Sequence, residues 1–286
     1  MLTRDWSSDV CSSDLVDPDG EGVEEEEDYR QHMKKVLKKR LRLQPVRLEL
    51  KGKLDGKLVS FMAGEMGLPQ NKVTQTSIPL DLGYVYSLEG KIPAPARASL
   101  LFDPFEPQAS PMVDEGVPMR EQVLDHDILL FYPYESMSPL LRLLREASTD
   151  DKCISVKITL YRVAKQSRLC ESLIAAVENG KEVTVLMELR ARFDEANNIA
   201  WADRLEHAGC TVIYGSEGFK CHSKICQITY HDKSGINRIT CLGTGNFNEK
   251  TARLYSDFML LTADSVIAED GNTLTQIGRA SCRERV

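Results

Sequence analysis

The amino-acid sequence predicts an α/β protein: a mixed, largely parallel sheet flanked by helices, preceded by part of a small α+β domain. Three observations predict it. From Ile128 to Tyr214, short β-branched and aromatic runs alternate with amphipathic helical stretches, the pattern of βαβ units. The helical stretches stop at Asn179-Gly180 and at Gly209, residues suited to the left-handed turn that closes a helix. A proline-rich interval separates this region from a shorter strand and helix upstream.

In chain order, residues 16–28 are acidic, with Glu24 to Glu27 unbroken, and read as a solvated lead-in whose charge suits the start of a helix. That helix, Tyr29 to Leu43, carries Met33, Val36, Leu37 and Leu41 at helical spacing. Lys34, Lys35, Lys38, Lys39 and Arg40 fill its other faces, either solvated or available to a polyanion. Pro45 to Lys51 alternates as a strand, and Lys57 to Met66 reads as a helix closed by Gly67. Between Ile92 and Pro118, prolines at 93, 95, 104, 107, 111 and 118 argue against any helix or central strand and mark a long connection. A domain boundary near Gln108 to Met112 divides the chain into 16–108 and 109–276.

Beyond it, strands are expected at Ile128 to Tyr132, Ile154 to Tyr161, Val183 to Leu189 and Thr211 to Tyr214. Helices are expected at Ser138 to Ala147, Ser167 to Glu178 and Glu195 to Ala208. Open α/β sheets bind ligands at the carboxyl ends of their strands. Arg162, after ITLY, and Arg192, after MELRA, sit there. An arginine at a strand end is often only a surface residue; two at equivalent ends suit a phosphate clamp.

Both ends carry sequence that does not belong. Asp5 to Leu15 and Ile277 to Val286 look like translated short-read sequencing adapters. Cys11 to Leu15 can be encoded by TGC TCT TCC GAT CT, whose reverse complement contains ATC GGA AGA GCA, which reads Ile-Gly-Arg-Ala as at Ile277 to Ala280. Residues 1–15 and 277–286 are therefore set aside.

The 286 residues are 42% hydrophobic, enough for one or two packed domains. A formal charge of -7 argues against general nucleic-acid binding, so a polyanionic ligand would need a local cationic groove. Of eight cysteines, Cys153, Cys170, Cys210, Cys221, Cys226 and Cys241 lie between the foreign ends, with no CxxC pair; free thiols in a reducing cytosol are expected. Zinc at Cys221, His222, Cys226 and His231 is disfavoured, because Cys221 and Cys226 would point to opposite faces of a strand. No apolar run reaches the roughly 18 residues of a membrane span and no signal peptide is visible, so a cytoplasmic protein is expected, with peripheral membrane association left open.

The stretch from Phe219 to Phe258 carries the chemistry. Lys220-Cys221-His222-Ser223-Lys224 opens a run that alternates like a strand, which would put His222 and Lys224 on one face with Cys226 and Ile228. Gly243-Thr244-Gly245-Asn246 follows a β-rich run, and its glycines let the backbone approach an anion while Asn246 offers a neutral donor. A neutral imidazole is a good nucleophile, and a neighbouring ammonium offsets charge on phosphoryl oxygens. A lone strand histidine is more often merely packed or solvent-facing; the lysine and glycine loop shift the balance toward attack on phosphorus.

The pairing of His222-x-Lys224 with Gly243-Thr244-Gly245-Asn246 resembles the half-site of the phospholipase D superfamily. The wording GTGNFNEKTARLYSDFMLLTAD, with FYPYESMSPLLRLLREAS, ITLYRVAKQSR and ELRARFDEANNIAWADRLEHAG upstream in the same order, resembles the phosphohistidine-forming type of polyphosphate kinase over about Val16 to Gln276. The resemblance implies a phospholipase D-like catalytic fold and reversible transfer of the terminal phosphate of ATP to inorganic polyphosphate, with ADP as product. Residues 16–108 would be the carboxyl-terminal part of the middle, or head, domain and 109–276 a truncated first catalytic domain. It assigns His222 as nucleophile beside Lys224, places Arg162 and Arg192 near the phosphates and Mg2+, and puts Tyr255 at the nucleotide base; a core tyrosine is the plain alternative.

A guanidinium has no free lone pair, so the two arginines are read as partners of phosphate oxygens rather than metal ligands. With Leu254 to Leu261 extended, Asp257 shares a strand face with Tyr255 and is a candidate to orient a site group. Relatives often carry an acid where Thr229 stands and a histidine where Cys241 stands, so an acid orienting the imidazole must come from elsewhere. The resemblance also implies a homo-oligomer and a second catalytic half, with its own histidine, beyond Gln276; the fragment alone is expected to be inactive. The alternatives are a phospholipase D-superfamily phosphodiesterase and a non-catalytic polyphosphate-binding half-site.

Overall fold

The computed structural model describes residues 29–40, 43–103, 105–191, 193–214 and 221–272; the two adapter-like ends and Arg192 lie outside the described residues. These divide into two compact units, one of residues 36–105 and one of residues 29–35 with 106 onward. The first helix, α1 (Tyr29–Arg40), is divided between them.

In the first unit β1 (Leu48–Lys51) pairs in parallel with β2 (Val73–Thr76). The intervening α2 (Gly56–Glu65) is capped by Asp55, whose carboxylate accepts from the amides of Lys57 and Leu58. Leu48, Leu50, Val59, Ala63 and Leu68 form its core. The proline-rich interval is not all connection. Beyond α3 (Tyr84–Leu88), which precedes it, the interval holds α4 (Ala94–Ala98), which follows Pro93 and carries Pro95 in its first turn, where a missing N–H costs nothing.

The second unit is built on seven strands: β3 (Ile128–Tyr132), β4 (Cys153–Leu160), β5 (Glu182–Met187), β6 (Thr211–Tyr214), β7 (Ile225–Asp232), β8 (Gly235–Gly243) and β9 (Asp257–Thr262). They lie in the order β3-β9-β8-β7-β4-β5-β6. Its helices are α5 (Met119–Asp125), α6 (Ser138–Thr149), α7 (Arg168–Glu178) and α8 (Glu195–Ala208), with a further helix from 265. The mixed α/β sheet flanked by helices is as expected, but it is not largely parallel in its pairing. Only β4–β5 and β5–β6 are parallel neighbours; β3–β9, β9–β8, β8–β7 and β7–β4 are antiparallel.

The reason is local: β7 and β8 are joined by a tight turn at Gly235 (φ 107), and a hairpin that short permits antiparallel pairing alone. Residues 265–272 lie against Gln227, Ile225 and Thr240. From α5, Arg120 stacks 4.7 Å from the Tyr230 ring and pairs with Asp232. Residues 227 and 230 of β7 lie three positions apart, so their side chains point to opposite sheet faces and both faces are covered. Cys226 and Cys241 face each other across β7 and β8, both fully buried; the hydrogen bond between the thiols, with burial, pushes the Cys226 thiol well up. Among the described residues no helix is long and apolar enough to cross a membrane.

Candidate active site

The strand directions bring the carboxyl ends of β3, β4, β5 and β8 and the amino ends of β7 and β9 to one edge of the sheet. Every described candidate from the sequence falls at or next to this edge. His222 and Lys224 are not in a strand: residues 221–224 are extended but unladdered, and β7 begins at Ile225. Thr159 at the end of β4 explains the delay. Its hydroxyl is 2.8 Å from the Ser223 carbonyl and accepts from the Ile225 amide at 3.1 Å, taking the bonds a backbone ladder would make.

Two further contacts hold this segment. The buried Glu188, just past β5, accepts from the Cys221 amide at 2.8 Å through one carboxylate oxygen and from the Arg190 amide at 2.8 Å through the other. Lys224 donates from Nζ to the His222 carbonyl at 2.5 Å. Lys224 is buried, and that burial pushes its ammonium below the usual lysine range against the pull of Cys221 and Asp257. His222 itself is exposed, and among the described residues none hydrogen-bonds to its ring. Thr229, in place of an acid, pairs with Arg238 and Ser155 inside the sheet, away from the edge.

Arg162 lies just past β4, with Nη1 2.5 Å from Asp194 Oδ2. The backbone around it is held carbonyl by carbonyl. Tyr161 O accepts from Asn198 Nδ2 at 2.7 Å, Arg162 O from Asn248 Nδ2 at 3.3 Å, Val163 O from Asn197 Nδ2 at 2.8 Å and Ala164 O from Trp201 Nε1 at 2.9 Å. Three of those donors come from one face of α8, at the spacing Asn-Asn-x-x-Trp.

The glycine loop closes the edge. Gly243 N donates to Lys224 O at 2.9 Å, and Thr244 Oγ1 donates to Asp257 Oδ1 at 2.8 Å while accepting from Phe258 N at 2.9 Å. A Cβ on Gly245 would overlap the Asp257 carboxylate, and one on Gly243 would stand 2.8 Å from Met259 Cε, so both positions exclude a side chain as packed. Asp257 orients this loop, yet it does not share a strand face with Tyr255. β9 starts only at Asp257, because the chain first makes a 3-10 turn over Thr251–Arg253. Tyr255, bonded from its amide to Thr251 O, is 61% exposed and so is not a core tyrosine. The side-chain oxygen of Asn246 is buried and meets no donor among the described residues.

Glu188, Thr159, Tyr161, Asn198 and Asn248 also build this edge, and none of them stands out in the sequence as a residue of the site. The Asn-Asn-x-x-Trp spacing was the one local signal that could have found part of this frame.

Among the described residues no three of His, Cys, Asp and Glu gather to hold a metal. The acids at this edge are already engaged: Asp194 with Arg162, Asp257 with Thr244, Glu188 with two amides. These residues fit magnesium only as an ion carried by phosphate oxygens and water.

The fold and the site together define a mixed α/β domain that gathers a His-x-Lys pair and a Gly-x-Gly-Asn loop at one edge of its sheet. The chain belongs to the polyphosphate kinase family: residues 118–281 match its C-terminal domain 1 and residues 17–88 its middle domain. A polyphosphate kinase from Rhodopirellula baltica is 40% identical over 238 residues, 83% of this chain and 28% of the relative. One from Exiguobacterium sibiricum is 39% identical over 239 residues, 83% and 33% of the two chains. The crystal structure of polyphosphate kinase from Porphyromonas gingivalis superposes with a TM-score of 0.68 at 30% identity, over 81% of this chain and 35% of that one. This chain thus spans roughly a third of the length of the relatives it matches.

Proposed function

We propose that the protein is an ATP:polyphosphate phosphotransferase and that this chain supplies the nucleophile-bearing half of its site. The observation that carries the reading is the meeting of an exposed imidazole, a buried ammonium and a guanidinium with a loop whose two glycines leave no room for side chains, at one sheet edge. On this reading the imidazole lone pair of His222 attacks the γ-phosphorus. A P–N bond forms as the bond to the ADP oxygen breaks, and that oxygen keeps the electron pair. A terminal polyphosphate oxygen then attacks the same phosphorus and the P–N bond breaks, which also makes the sequence reversible.

Lys224 and Arg162, joined by Arg192, neutralise the phosphoryl oxygens, and Asn246 supplies a neutral donor to them. Asp257 keeps the glycine loop in place, and the exposed Tyr255 ring is free to stack on a nucleotide base. When bound with the nucleotide, Mg2+ would add charge neutralisation on the phosphates.

We further propose that residues 16–108 are the carboxyl-terminal part of the middle, or head, domain and 109–276 the first catalytic domain. The second catalytic half would be supplied elsewhere in the same chain, in a cytoplasmic homo-oligomer. The test is whether the full-length protein moves label from γ-labelled ATP into acid-insoluble polymer. Release of an alcohol from a phosphodiester without polymer would instead favour the diesterase, and polyphosphate binding without turnover a binding module.

A further inference from the structure

We infer that Tyr161 is a positioning residue for the nucleophile, its ring being the common wall against which His222, Lys224 and Arg162 are set; this rests on His222 as the group that takes the phosphate. The rings of Tyr161 and His222 lie 5.0 Å apart at 83°, the edge-to-face arrangement that aromatic pairs favour. Lys224 Nζ is 5.5 Å and Arg162 Cζ 5.8 Å from the centroid of the same tyrosine ring. Tyr161 therefore touches all three described groups that the reaction needs, and a π face attracts the ammonium and the guanidinium among them.

The tyrosine is itself well anchored. It follows directly on β4, its carbonyl is held by the fully buried Asn198, and the next three carbonyls are held in turn. The imidazole is the opposite case, since among the described residues nothing polar fixes its plane. In-line transfer needs the attacking nitrogen aimed at phosphorus, so a wall that restricts ring rotation acts on rate more than on substrate affinity. No hydrogen bond of the Tyr161 hydroxyl occurs among the described residues, so the ring rather than the hydroxyl carries the effect, and phenylalanine should serve.

The experiment has two arms. In this chain, imidazole C2–H resonances of the five histidines are compared in wild type, Tyr161→Phe and Tyr161→Leu, with His222→Ala assigning the signal. The leucine variant should move the His222 resonance and leave those of His32, His126, His207 and His231 in place, which also shows that the fold survives; phenylalanine should leave all five near wild type. In the full-length protein, single-turnover labelling of the histidine from γ-labelled ATP should slow by about tenfold or more in Tyr161→Leu. Half-saturation by ATP should change little, and Tyr161→Phe should label at the wild-type rate.

An unmoved His222 resonance in the leucine variant overturns the inference, as does a phenylalanine variant as slow as leucine. Label that persists in His222→Ala refutes the nucleophile assignment instead, and the resonance arm still decides whether Tyr161 orients the ring.

Discussion

Replacing Asn198 by alanine should loosen the edge of the sheet that carries the site, and its neighbour Asn197 provides the control. Asn198 is fully buried and makes three hydrogen bonds: Nδ2 to Tyr161 O at 2.7 Å and to Glu188 O at 2.9 Å, and Oδ1 from Val163 N at 3.4 Å. Each such bond contributes about 1 kcal/mol net, and buried groups left without a partner add to the loss. Asn198→Ala should therefore cost about 3 kcal/mol, lowering Tm by roughly 6–12 °C for a domain of this size. Asn197 is half-buried with one such bond, to Val163 O at 2.8 Å, so Asn197→Ala should cost about 1 kcal/mol, or roughly 2–4 °C. Thermal and urea unfolding of the two variants beside wild type gives both numbers. Equal losses, or an Asn198→Ala loss under about 1 kcal/mol, would refute the argument that this asparagine ties β4, β5 and α8 together.

Glu188→Gln keeps the shape but leaves one acceptor for two buried amide donors, at a cost of about 1–3 kcal/mol; hydrogen exchange at the Cys221 amide should accelerate, and an unchanged rate would count against Glu188 as the anchor of the His222 segment. Gly245→Ala forces a methyl onto Asp257 and should destabilise by about 1–3 kcal/mol while breaking the Thr244–Asp257 bond; wild-type stability in urea would show that the loop is not packed as described. The Ser234 and Arg120 hydrogen bonds hold the Asp232 carboxyl well below the usual carboxylate range. A depressed folded-state pKa means that its stabilisation is present above about pH 4 and fades as pH falls below that value. Acid unfolding of Asp232→Asn should accordingly show a flatter low-pH limb than wild type, and identical limbs would remove this pair from the acid response.

Much of the fold was legible because periodicity is local. The short apolar and aromatic run Ile128–Tyr132 is a strand, as such a run bounded by turn residues suggests, and α8 runs from Glu195 to the glycine that ends it. The four-residue β2 is half-exposed and has no apolar alternation to announce it. Strand direction was less legible, since the turn at Gly235, not the preceding βαβ rhythm, sets the β7–β8 pairing. At the site, His222, Lys224 and the glycines were visible as reactive or permissive residue types. Their register was not, because the Thr159 hydroxyl replaces ladder bonds and delays the strand by a turn of chain. Tyr161, Glu188 and Asn198 look from the sequence like ordinary strand-end and helix residues; their importance comes from contacts between elements distant in the chain, Glu188 with Cys221, Asn198 with Tyr161 and Tyr161 with His222, which no window of sequence contains.

The central claim is that His222 carries the phosphate, and the stability of the label tests it most directly. Full-length protein incubated with γ-labelled ATP and magnesium should acquire label that is lost in acid and kept in alkali, as a P–N bond requires. His222→Ala should acquire none, while Arg162→Ala should label on the order of a hundredfold more slowly but at the same residue. Acid-stable label, or undiminished label in His222→Ala, would contradict the account.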